Sequence, residues 1–297
     1  MVNVRYALKS NVDALPYSGR KILVVLAHPD DETFGMGGTL AYYGHLGAEV
    51  HLVCATRGEV GEVPDEKMIG FNTIAELREN ELCCAADVLN IRKVHFLNYR
   101  DSGMAGSIEN DHPDAFINAP VGHVARELVE LIRSIKPDIV LTFDPIGGYM
   151  HPDHIAAHDA TVMAFGLSSD PNYEIKKLPP YAPKKLYFHI IPRGFFKIVV
   201  RLMPFFGVDP SRFGNNKDID LLAIVEKNFP VHAKVNYRRF ARLRDQASAC
   251  HASQGGDKQS GFIVTWLLRI FQSVETFMQA YPTYEKKEPL TDLFEGI

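Results

Sequence analysis

Strand-like and helix-like segments alternate over residues 21–167, and that order restricts the chain to a mainly parallel sheet with helices on both faces. Residues 21–27 read as a strand, 33–46 as a helix ended by Gly47, 49–55 as a strand, and 74–89 as a helix with apolar residues at helical spacing. A strand at 94–98, a helix at 121–135, a strand at 139–143 and a helix from 152 to about 167 complete the run. Leu128, Leu131, Ile132 and Ile135 line one face of the third helix, which Pro137 stops. At 297 residues and 46% hydrophobic, the chain can bury a large core as one generous domain, with or without an elaborated lid.

The apolar run Ile22-Leu23-Val24-Val25-Leu26 leads directly into Ala27-His28-Pro29-Asp30-Asp31-Glu32. Carboxylates and an imidazole thus arrive at the C-terminal end of a predicted strand, where open α/β sheets place ligands. A second cluster, His151-Pro152-Asp153-His154, follows the strand-like run Ile139-Val140-Leu141-Thr142-Phe143. Two such clusters on two strand ends imply one metal site. A catalytic zinc takes about three nitrogen or oxygen protein ligands and keeps a position open to water. His28 and Asp31, three residues apart across the turn, can reach one ion, with His154 as the third ligand. Asp30 then points elsewhere and is free to act as a base on metal-bound water, whose pKa falls to about 7 in such sites. His151 stands near the ion without binding it, able to hydrogen-bond a developing oxyanion or protonate a leaving amine. Asp153 beside it would hold its tautomer. The plain alternatives are acids that cap the next helix and a pair of solvated histidines; capping explains one acid well and three poorly.

Composition and spacing weigh against other classes. A net charge of −4 without a Lys/Arg block gives no electrostatic reason to expect nucleic acid as the main partner. Gly35-Met36-Gly37-Gly38 follows the first strand, but a dinucleotide fingerprint would need glycine at Leu40, and acids would lie where pyrophosphate sits. A non-haem iron oxygenase also uses two histidines and one carboxylate. The spare Asp30 and His151 favour hydrolysis, in which both have roles. A metal- or sugar-binding protein without turnover would keep His28, Asp31 and His154 but lack a base. The N-terminus has no secretory pattern and there is no Asn-x-Ser/Thr sequon, so a cytoplasmic location is expected. Cys54, Cys83, Cys84 and Cys250 form no Cys-x-x-Cys pair and are expected as buried small hydrophobes, not ligands.

With Thr56-Arg57-Gly58-Glu59, Leu77-Arg78-Glu79-Asn80-Glu81-Leu82 and Phe143-Asp144-Pro145, the two clusters fall in a familiar order over about the first 170 residues. The chain resembles the LmbE-like, or PIG-L, family of zinc-dependent N-acetylglucosaminyl deacetylases. Tyr99-Arg100-Asp101-Ser102-Gly103-Met104-Ala105-Gly106 and Gly147-Gly148-Tyr149-Met150-His151 look most like the branch acting on mycothiol precursors and conjugates. The resemblance implies one zinc ion on His28, Asp31 and His154, Asp30 as base, and His151 as acid or oxyanion partner helped by Asp153. It also implies Tyr149 as a mobile aid to the tetrahedral intermediate, and Arg78 and Asp101 as groups that hold the sugar. Arg57 and Glu59 either bind substrate or brace their loop. The expectation is a single Rossmann-like α/β domain over 1–297, with its catalytic core at about 20–190 and a variable lid region over 191–297. It would hydrolyse an N-acyl bond on a small amino-sugar substrate, with a mycothiol-conjugate amidase as the related alternative.

The C-terminal part departs from the pattern. The aromatic stretch 195–206 is too short and too charged to cross a bilayer, and is expected to be a lid or a homo-oligomer contact, with a membrane-surface role as the lesser alternative. Residues 262–271 read as a core or interface helix, 218–225 as a strand, and 233–251 as a long basic-faced helix. His251-Ala252-Ser253-Gln254 looks like a family element without an assigned role.

Overall fold

The computed structural model describes residues 15–191, 197, 200–206, 209–211, 220–257 and 273–297. Within them, β1 (Lys21–Leu26), β2 (Glu49–Cys54), β3 (Lys93–Phe96), β4 (Ile139–Phe143) and β5 (Lys185–Ile190) pair in parallel. A late strand, β7 (Val274–Tyr281), runs antiparallel to β5 and to β6 (Ala233–Asn236). The order across the sheet is β3-β2-β1-β4-β5-β7-β6. The chain therefore winds outward from β1 to β3 and returns to the other side of β1 as β4. The C-terminal ends of β1 and β4 form the crevice where such sheets bind ligands.

The helices are α1 (Asp31–His45), α2 (Ile74–Leu89), α3 (Val121–Ile135), α4 (Pro152–Ser168), α5 (Leu221–Glu226) and α6 (Ala241–Cys250). On α2, Thr73 caps the first turn by accepting the Glu76 N–H, and Asn90 ends the helix in a left-handed conformation. Val124, Leu128 and Ile132 bury one stripe of α3, which packs against α4. A second group joins α1 and α2 to α6. Helix α1 breaks at Met36, and the N–H groups of Gly38 and Thr39 donate to the Glu275 carboxylate of β7 at 3.0 and 2.7 Å. Gly38 has to be glycine because a Cβ there would lie 2.2 Å from the Tyr237 ring.

Four expectations need correction. Residues 221–226 form a helix, not part of a strand, because Asp220 accepts the N–H groups of Leu222 and Ala223 and so caps a first turn. The span read as one long helix begins with β6, where Ala233 and Val235 are buried while Lys234 and Asn236 face out. That two-residue alternation pairs with β7 and delays the helix to Ala241. Strands β5 and β7 were not anticipated. Of the cysteines, only Cys54 is buried as expected; Cys84 of α2 and Cys250 at the end of α6 form a disulfide, and Cys83 is exposed.

Residues 195, 196, 198 and 199 of the aromatic stretch, and all of 262–271, lie outside the described residues. Val200 packs with Leu221, Ile224 and Val225 in a small cluster separate from the main core, while Phe205 is 84% exposed. Helix α5 lies against the turn Gly147–Met150.

Candidate active site

Both expected clusters meet at the crevice. His28 leaves β1, Asp31 opens α1, and His151 caps α4, with Pro152 in its first turn. The Asp30 backbone turns at φ 124°, with its carbonyl accepting the N–H groups of Thr33 and Phe34. At the other strand end, the Gly147 carbonyl lies 3.2 Å from His154 Nδ1. Gly147 has φ 63°, and a Cβ there would come 2.7 Å from that of His154, so this close approach requires glycine.

His28 Nδ1 lies 3.2 Å from His154 Nε2 and 3.5 Å from Asp31 Oδ2, and His154 Nε2 lies 3.2 Å from Asp31 Oδ1. A tetrahedral ion with nitrogen and oxygen ligands at about 2.0–2.1 Å needs donors about 3.3–3.4 Å apart. The three side chains approach that spacing pair by pair, with each histidine nearest a different oxygen of Asp31. The outer nitrogens agree: His28 Nε2 is 3.0 Å from Asp153 Oδ2, and His154 Nδ1 faces the Gly147 carbonyl. With both outer nitrogens protonated and both rings neutral, two imidazole lone pairs would face one another, an arrangement that a cation between them would satisfy. Without one, burial lowers the His28 imidazole, but Asp101, Asp153 and Asp31 outweigh it and hold His28 well above the usual imidazole range. Two other sets of ligand atoms lie within 4.8 Å of one another, His28 with His151 and His154, and His28 with Asp101 and Asp153. The carboxylates of the last set already serve His28 Nε2 and the N–H groups of Gly103 and Ser102.

Burial alone would raise the Asp31 carboxyl, but His154 and His28 beside it hold it well below the usual carboxylate range. Burial pushes Asp30 up to about 6, with the Arg78 guanidinium opposing. Burial, reinforced by His28 and His154, pushes His151 down to about 2. Its Nδ1 accepts the Asp153 N–H at 3.2 Å, so the proton of the neutral ring sits on Nε2.

Two of the expected site residues make other contacts. The Asp153 carboxylate is turned to His28 and to the Ser102 N–H, while the Asp153 backbone N–H meets His151. The cause is the helix start, where His151 takes the capping position and directs the next side chain inward. Arg78 does not present an open fork for a sugar. It is 4% exposed, with Nη1 donating to the Gly58 carbonyl and Nη2 to the Pro29 carbonyl and Asp30 Oδ2, at 3.0, 2.6 and 3.0 Å. Asp101 is similarly buried and faces His28. Tyr149 sits at the rim, its ring 5.8 Å from that of His151 and 5.0 Å from that of His154. Arg57 braces its loop through Glu79, Asn98 and the face of Phe96, and Glu59 accepts the Asp101 N–H.

Glu32 and His251 were missed as a pair. Both are fully buried, with His251 Nε2 2.7 Å from Glu32 Oε1, and the other Glu32 oxygen accepts the Asp30 N–H at 3.0 Å. Their separation of 219 residues leaves no local signal that joins them; the third acid of the first cluster and the unassigned His251-Ala252-Ser253-Gln254 segment were separate hints. No helix among the described residues is long and apolar enough to cross a membrane.

A family model described as PIG-L, GlcNAc-PI de-N-acetylase, matches residues 23–165. A 1D-myo-inositol 2-acetamido-2-deoxy-alpha-D-glucopyranoside deacetylase from Acidothermus cellulolyticus is 34% identical over 293 residues, covering 94% of this chain and 95% of the relative. Among solved structures, an N,N'-diacetylchitobiose deacetylase from Pyrococcus horikoshii superposes with a TM-score of 0.58 at 21% identity, covering 88% of this chain and 83% of that one. A 4-carboxy-2-hydroxymuconate hydratase, GalB, gives 0.57 at 19% identity, covering 91% and 99%. At these identities the structures show the shared fold alone, since one fold hosts unrelated reactions. The family match and the near full-length relative, added to the paired strand-end clusters, carry the assignment: the chain belongs to the PIG-L, or LmbE-like, family of de-N-acetylases.

Proposed function

We propose that the protein hydrolyses the N-acetyl group of a glucosaminyl conjugate with one zinc ion held by His28, Asp31 and His154. The observation that supports this reading is the convergence of the three side chains, whose nearest nitrogen and oxygen atoms lie 3.2–3.5 Å apart, with Asp30 braced beside them. Bound zinc would polarise the amide carbonyl and lower the pKa of water to about 7. Asp30 takes a proton from the attacking water. His151 donates its Nε2 proton in a hydrogen bond to the developing oxyanion, and Tyr149 supplies a second donor from the rim. When the C–N bond breaks, the nitrogen takes up the proton held by Asp30, and acetate and the free amine leave. Arg78 and Asp101 serve the sugar indirectly in this reading, by fixing Asp30 and His28.

The substrate for which the relatives are named, 1D-myo-inositol 2-acetamido-2-deoxy-alpha-D-glucopyranoside, is the first candidate. A cleft of about 660 Å³ beside the Asp101 loop, lined by Glu59, Tyr99, Arg100, His112, Asp114 and His123, offers the donors and acceptors that a polyhydroxylated aglycone needs.

Metal analysis with an acetate-release assay tests the proposal. One zinc per chain and faster release from the inositol glucosaminide than from a simple N-acetyl amine are expected. His154→Ala should lose the metal, and turnover with it. Full occupancy in that variant would remove His154 from the ligand set. Iron with oxygen consumption would replace the hydrolytic reading with an oxygenase, and cleavage of larger mycothiol-type amides in preference to acetyl would move the protein to the amidase branch.

A further inference from the structure

We propose that His251 is a positioning residue for Asp30, acting through the buried Glu32 carboxylate; this rests on the reading of Asp30 as the base. Asp30 lies at φ 124°, a region that side chains with a Cβ rarely occupy, so surrounding contacts must hold it there. Its side chain is held by Arg78 Nη2, 3.0 Å from Oδ2. Its backbone is held by Glu32, whose Oε2 accepts the Asp30 N–H at 3.0 Å. Glu32 in turn is fixed by the Thr33 hydroxyl and by His251 Nε2, the latter at 2.7 Å, both on Oε1. A carboxylate with no exposed surface needs such a partner to keep one orientation.

His251 is itself clamped. Cys250, directly before it, is bonded to Cys84 of α2. Two residues after it, the Ser253 N–H and hydroxyl donate to the two Glu81 oxygens at 2.8 and 2.7 Å, and Gln254 Nε2 donates to the Glu62 carbonyl at 3.2 Å. Arg78 and Glu81 lie on the same helix. The α2 and α6 pair thus grips the Asp30 turn twice, through Arg78 on the carboxylate and through His251 and Glu32 on the backbone. A segment that only closed the fold would have no reason to send a buried imidazole to the carboxylate that binds the Asp30 N–H.

The test is a double-mutant cycle on the zinc-loaded enzyme, with His251→Ala, His251→Gln and Asp30→Asn, measuring kcat, KM and metal content. His251→Ala should lower kcat about 10–100-fold, with KM within about twofold and the metal retained, because a base displaced by a fraction of an ångström loses its alignment. His251→Gln, whose amide nitrogen can replace Nε2 as donor, should recover kcat to within about fivefold. The double variant Asp30→Asn with His251→Ala should be no slower than Asp30→Asn alone. If the alanine variant does not fold, the glutamine variant carries the cycle, and its smaller loss should likewise vanish in the Asp30→Asn background. Losses that multiply, a raised KM with unchanged kcat, or a loss of metal would overturn the proposal. Wild-type turnover in Asp30→Asn would overturn the base reading and this one together; an inactive Asp30→Asn beside a fully active His251→Ala would overturn only this one.

Discussion

The turn after β1 and the turn after β4 face each other across the donor cluster and are built in opposite ways. Around Asp30, backbone and side chain are both held: Arg78 on one carboxylate oxygen, Glu32 on the N–H, and the Thr33 and Phe34 N–H groups on the carbonyl. Around Tyr149, Gly147, Gly148 and Met150 all have positive φ, and the tyrosine and Met150 are more than a third exposed. The contrast matches the chemistry. A base must meet one proton in one place, whereas a donor to the oxyanion is needed only once the tetrahedral centre forms. In the proposed mechanism, substrate would enter past the exposed Tyr149 side while the Asp30 side keeps its geometry.

Variants on the two sides should separate these roles. Asp30→Asn should keep the metal and lower kcat about 10²–10⁴-fold, the range for a positioned general base. Acetate release and metal content measured together decide it; loss of the ion would make Asp30 a ligand. Tyr149→Phe should cost less, about 10–100-fold in kcat with little change in KM, because a rim donor contributes in the transition state. A Tyr149→Phe loss as large as that of Asp30→Asn would break the contrast between the two turns.

A smaller effect is expected in the pH profile. As the proposed base, Asp30 would act ionised, and burial pushes it up to about 6, so kcat/KM should fall about tenfold per pH unit as pH drops below that value. Arg78 favours the ionised form, so Arg78→Ala should move this acid limb to higher pH. A rise in KM with an unmoved limb would return Arg78 to sugar binding. The smallest change concerns the clamp: thiol titration of the unfolded protein should find two thiols before reduction and four after, reporting Cys84–Cys250. Four thiols from the outset would remove that tie from the braced side.

The amino-acid order alone determined the alternating elements from β1 to α4 and the residue types at the strand ends. Ile74–Leu89 and Val121–Ile135 carry apolar residues at helical spacing, and Ile139–Phe143 is a short apolar run before a proline-bearing loop; all three stand at the expected bounds. These patterns are local, each needing only its own residues to express a period. His28, Asp31 and His154 could be proposed as donors for the same reason, since their clusters follow strand-like runs, and the fold brings the three together. Tertiary structure decided the partners. Glu275 on the Gly38 and Thr39 N–H groups, Cys84 with Cys250, Asp153 on His28 and His251 on Glu32 all join segments far apart in the chain. It likewise turned Ala233–Asn236 into a strand because β7 was there to pair with it. Long-range contacts follow from which surfaces packing brings together, and no spacing within a segment records that.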